Sequence, residues 1–118
     1  MNLVAFVGSD KENIGQVAAL VNRMECEKII IIKKTGTDAV PQNDRTEIIE
    51  IDTSQSIAEL KKQLQEKLKK SLSNDFEVAL SMASGNGKEH MALLSALLNI
   101  PVGVRLVAYT KKGVEFLS

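Results

Sequence analysis

Apolar residues along this chain fall into short unbroken runs set between amphipathic stretches. Leu3-Val4-Ala5-Phe6-Val7, Ile29-Ile30-Ile31-Ile32 within Lys28–Lys34, and the run from Phe76 to Ala83 each have the length of a strand and little alternation. Such runs predict strands of a parallel sheet covered on both faces. Between them the period lengthens. Ile14, Val17, Ala18, Val21 and Met24 share one helical face, as do Ile57, Leu60, Leu64, Leu68 and Leu72. Lys61, Lys62, Glu66, Lys67, Lys69 and Lys70 form the solvated side of the second helix. Glu47–Ile51 is shorter and more mixed, which puts it near a sheet edge, after a polar connection from Thr35 to Arg45. Val102–Tyr109 reads as a further strand. The turn Lys111-Lys112-Gly113 then leads into Val114–Leu117, a link short enough to require an antiparallel pair.

The resulting order predicts an α/β fold: a Rossmann-like three-layer sandwich whose mostly parallel, six-stranded sheet ends in an antiparallel strand, with residues 1–118 as one domain. Right-handed crossovers would place the first and fourth strands side by side at the sheet centre. Three helix starts have capping-box spacing: Ser9 with Glu12, Ser56 with Glu59, and Asn86 with Glu89. The helix from Glu89 to Asn99 is unusual. Met91, Ala92, Leu93, Leu94, Ala96, Leu97 and Leu98 surround nearly its whole circumference, so it needs cover on more than one side. A symmetric homodimer supplies that cover economically; the neighbouring helix of the same chain is the other source.

Composition narrows the partners. Fifteen basic and fifteen acidic residues cancel, which argues against duplex nucleic acid. Three Phe, one Tyr and no Trp argue against a stacking platform for single strands. Cys26 is the only cysteine, which excludes an internal disulfide and a cysteine-based zinc site, and its neighbours Glu25 and Glu27 are expected to raise its thiol pKa. No carboxylate pair or His cluster suggests a metal, and no cofactor is implied. No apolar run approaches the ~18 residues of a membrane span, and Met1-Asn2-Leu3 enters a strand without a basic leader, so a cytoplasmic protein away from membranes is expected.

The candidate chemistry lies in two strand-to-helix loops, Gly8–Glu12 and Ser84–Lys88, both expected at the switch point of the sheet, where open α/β folds bind ligands. Each joins small residues, a helix start and a lysine, the ingredients of an anion site. Lys88 is notable because a cation in a first helical turn opposes the helix dipole by roughly 0.3–1 kcal/mol unless an anion compensates it. The second loop is neither a Walker A sequence nor a G-x-G-x-x-G fingerprint.

Leu3–Val7 followed by Gly8-Ser9, Phe76–Ala83 followed by Ser84-Gly85-Asn86-Gly87-Lys88, and the Leu/Ala-rich helix leading into Pro101-Val102-Gly103-Val104 together resemble the CARF domain, the CRISPR-associated Rossmann-fold sensor of type III systems. The resemblance follows the whole chain in element order. It implies a homodimer that binds cyclic oligoadenylate across its two-fold axis, with Gly8, Ser9, Asp10 and Lys11 contacting ligand from one loop and Ser84, Gly85, Asn86, Gly87 and Lys88 from the other. Relatives often carry Thr where Asn86 stands, and most attach an effector that 118 residues leave no room for. That leaves a stand-alone sensor serving a separate effector protein, a metal-independent ring nuclease cleaving cyclic tetra-adenylate, or a detached domain. In the nuclease, the ligand's own 2′-hydroxyl would attack phosphorus, Ser9 would orient it and Lys88 would stabilise the developing charge. His90 could serve as acid or base, or lie on the helix surface. Arg105 could pair with a buried carboxylate or point at the ligand. A generic nucleotide-binding domain at the same switch point is the third reading.

Overall fold

The computed structural model describes residues 1–37 and 40–118. In chain order the elements are β1 (Asn2–Val7), a short 3-10 turn (Lys11–Asn13), α1 (Ile14–Arg23), β2 (Ile29–Lys34), β3 (Thr46–Ile51), α2 (Ile57–Ser71), β4 (Glu77–Ser81), α3 (Gly87–Leu98), β5 (Gly103–Thr110) and β6 (Gly113–Phe116). The predicted connection from Thr35 to Arg45 includes residues 38–39, which lie outside the described residues.

The strands form one sheet in the order β3-β2-β1-β4-β5-β6. All pairs are parallel except β5 with β6. The expected topology is therefore present, with β1 and β4 adjacent at the centre and β3 at an edge. Leu3–Val7 and Ile29–Ile32 are fully buried, as their unbroken apolar runs required. Alternate residues serve opposite faces. Leu3, Ala5, Val7, Ile29 and Ile31 pack with Leu20 and Val21 of α1, whereas Val4, Phe6, Ile30 and Ile32 pack with α2 and α3 through Leu60, Leu64, Leu93 and Leu97. Leu20 was absent from the predicted stripe of α1 and is fully buried in it.

Local sequence rules held at two helix starts and failed at one. The Ser56 side chain accepts from the Glu59 amide, and Asn86 with Glu89 completes a reciprocal capping box. Ser9 is not a cap. After β1 the chain forms the 3-10 turn, Asp10 makes no capping bond, and α1 begins only at Ile14. The reason is long-range: the Ser9 hydroxyl accepts from Lys34 Nζ at 3.1 Å and the Asp10 carboxylate is engaged across the sheet.

Helix α3 is also more divided than its composition implies. Ala92, Leu93, Ala96 and Leu97 are buried beneath it, while Met91 is 61% and Leu98 70% exposed. With half-buried Leu94 these form an i, i+3, i+7 stripe on the outer face that this chain leaves open. Among the described residues, no helix is long and apolar enough to cross a membrane.

Candidate functional site

Two loops that are distant in sequence meet at the carboxyl ends of β1 and β4. The Gly8 amide donates to Ser84 Oγ at 3.0 Å, and the Ser84 hydroxyl donates to Asp10 Oδ1 at 2.8 Å. The same Asp10 oxygen accepts from the Gly85 amide at 2.9 Å, while Oδ2 takes a bond from Asn13 Nδ2 at 2.8 Å. Burial pushes the Asp10 carboxyl up, but the bonds from Asn13, Gly85 and Ser84 together outweigh it and hold the group below the ordinary aspartate range. A carboxylate of the chain itself therefore occupies part of the anion-binding geometry that the glycine-rich loop offers. Ser84 is buried and fully satisfied by this relay.

The backbones approach closely enough to explain two glycines. Gly85 has φ +107°, and a Cβ there would lie 2.9 Å from Phe6 Cδ1 and 3.0 Å from His90 Nε2. A Cβ on Gly8 would lie 3.0 Å from the Gly85 Cα. Glu89 is buried, and its side chain accepts from the Asn86 amide at 2.9 Å, closing the second loop onto α3. Its own amide donates to Asn86 Oδ1 at 2.9 Å.

The remaining candidate residues divide. Lys88 Nζ donates to the carbonyls of Thr53 at 2.9 Å and Gln55 at 2.5 Å, on the loop between β3 and α2. Those carbonyls answer the unfavourable placement of a cation in the first turn of α3. Nearby Asp52 is held below the ordinary carboxylate range by the Ser54 hydroxyl and amide, with Lys88 adding attraction. Ser9 and Lys88 thus have separate partners, and neither contacts the other's. His90 Nε2 lies 2.7 Å from the Ser84 carbonyl, an acceptor only, so that nitrogen carries the proton and the ring holds the second loop from below. Arg105 neither meets a buried acid nor reaches the loops: its Nε donates to the Ser118 carbonyl at 3.0 Å and its guanidinium lies 4.2 Å from the Phe116 ring centroid. For Cys26 the expected upward shift is present but has another cause. Burial raises the thiol, against the pull of Arg45, whose Nη1 lies 2.6 Å from the Cys26 carbonyl.

Two clefts flank the junction, and their described linings differ in charge. One of about 400 Å³ lies between the loops, lined by Ser9, Asp10, Glu12, Gly85, Asn86 and Glu89. The other, about 680 Å³, lies on the β2 side, lined by Gly8, Ser9, Lys11, Ile14, Gly15 and the segment Lys34–Thr37. Its size suits a small-molecule site. Sequence reading missed Lys34, Thr35 and Thr37, because only the sheet order brings the end of β2 beside the β1 loop.

No family model matches the chain, and no curated protein matches it. Among solved structures it is similar to Enterococcus italicus Csm6 bound to cyclic hexa-2′-fluoro-hexa-dAMP, with a TM-score of 0.59 at 13% identity. The match covers 90% of this chain and 32% of that one, so the chain spans about a third of its neighbour's length. At this identity the likeness is one of fold: a Rossmann-like α/β sandwich.

Proposed function

We propose that the chain is a CARF-like sensor domain that binds cyclic oligoadenylate as a symmetric homodimer. The observation that carries this reading is the junction of Gly8–Asp10 with Ser84–Gly85 at the carboxyl ends of the two central strands. Open α/β sheets bind ligands at that switch point, and the neighbour of the same fold was solved with a cyclic hexa-adenylate analogue. Two further features agree. Gly87 and Lys88 occupy the first turn of α3, whose leading amides are suited to phosphate. The open stripe of Met91, Leu94 and Leu98 offers a second copy a self-complementary apolar surface. In this reading Asp10 organises the corner from within, and ligand contacts come from the rim around it.

Equilibrium binding of labelled cyclic tetra- and hexa-adenylate, with chromatography of the bound fraction over time, tests the proposal. Retention of an intact ring supports a sensor. Linear product that disappears in Lys88→Ala would make the protein a ring nuclease and would require Lys88 to exchange its carbonyl partners for phosphate. Failure to retain either ring would reject both in favour of another nucleotide ligand.

A further inference from the structure

Among the described residues, the two sides of the β1 turn carry opposite charge. On the β4 side the walls include Asp10, Glu12 and Glu89, so that cleft is the more acidic of the two. On the β2 side Lys11 and Lys34 line the larger cleft, and the ion pairs among the described residues, Lys28 with Glu47 and Lys33 with Glu50, involve neither. Among the described residues Lys34 Nζ donates to Ser9 Oγ, one of the three protons an ammonium can offer. The turn beyond it is fixed: Gly36 has φ +91°, the Thr37 amide donates to the Lys34 carbonyl at 3.0 Å, and Lys33 Nζ donates to the Thr37 carbonyl at 3.0 Å.

Gly15 supplies an independent observation. It lies in the first turn of α1 on the wall of this cleft, and a Cβ added there would meet nothing within 4 Å. Neither packing nor a positive φ calls for glycine, and alanine would favour the helix. A group lying against the helix backbone would explain the missing side chain.

From these features we infer that the cleft between α1 and the end of β2 binds a single nucleoside phosphate unit. Its phosphate lies against Lys34 and Lys11, with the Ser9 hydroxyl as a further partner. Its base lies over Gly15 against Ile14. The inference builds on the nucleotide reading given above but does not require the nucleotide to be part of a ring.

Adenosine 5′-monophosphate and cyclic tetra-adenylate, titrated separately into the wild type, Lys34→Ala and Gly15→Leu, provide the test, with thermal unfolding of each variant as a check of folding. The expected result is saturable binding of the mononucleotide, weakened about tenfold or more by Lys34→Ala, the scale of a lost charge-assisted bond. Gly15→Leu should block binding while Tm holds or rises. Binding of the mononucleotide through Lys34 without binding of the ring would uphold this cleft and reject the cyclic-ligand proposal. Ring binding unaffected by both substitutions, with no mononucleotide binding, would overturn the cleft and leave that proposal standing.

Discussion

Asp10 and Ser84, 74 residues apart in sequence, are joined by a 2.8 Å hydrogen bond that ties the loop after β1 to the loop after β4. Because the same carboxylate oxygen also accepts from the Gly85 amide, one side chain sets the spacing of both loops. The corner is thus preorganised by the fold and does not depend on a ligand to assemble it.

Replacing Asp10 with Ala should destabilise the protein by about 1–3 kcal/mol at neutral pH, because it strands the Ser84 hydroxyl and the Gly85 amide. The pH dependence has a definite sign. The folded-state pKa of Asp10 is depressed, so its stabilisation is fully present above the ordinary aspartate value and is lost as pH falls through the lower folded value. Urea unfolding of wild type and Asp10→Ala at pH 7 and in strong acid should give curves that differ at pH 7 and converge in acid.

Gly85 and Gly87 should respond oppositely to alanine. At Gly85 the positive φ and the contact with Phe6 predict a loss of roughly 1–3 kcal/mol. At Gly87 the added methyl meets nothing within 4 Å, and the change should be neutral or stabilising by up to about 1 kcal/mol. Thermal melts of the two variants decide this directly.

Asn86→Ala removes the reciprocal cap with Glu89 and should cost about 0.5–2 kcal/mol. Amide hydrogen exchange should accelerate first in the opening turn of α3, with the β1–β2 core unchanged.

Much of the fold could be read from local pattern because its causes are local or nearly so. Unbroken runs such as Ile29–Ile32 mark strands buried on both faces, and the Asn86–Glu89 box acts within a single helical turn. The candidate site was less legible. Ser9 has the spacing of a cap, yet its hydroxyl answers Lys34, a residue brought alongside only by the pairing of β1 with β2. Lys88 invited a ligand contact by its position in α3, but the carbonyls that hold it come from the loop after β3. The flanking acids Glu25 and Glu27 give the right direction for the Cys26 thiol, but burial is what raises it, against the opposing pull of Arg45 from 19 residues away. In each case the deciding partner is distant in sequence.

Leu98→Asp places a charge on the open stripe of α3 without touching the buried face. If the stripe joins two copies, the variant should sediment as a monomer at concentrations where the wild type is dimeric, with little change in Tm. Equal sedimentation of the two proteins would remove α3 from the interface.

The most direct measurement of the central claim is calorimetric titration of the protein with cyclic tetra- and hexa-adenylate. The account predicts saturable binding of at least one of them at one ring for every two chains, lost when Leu98→Asp separates the copies. An absence of binding to both rings, or saturation at one ring per monomeric chain, would contradict it.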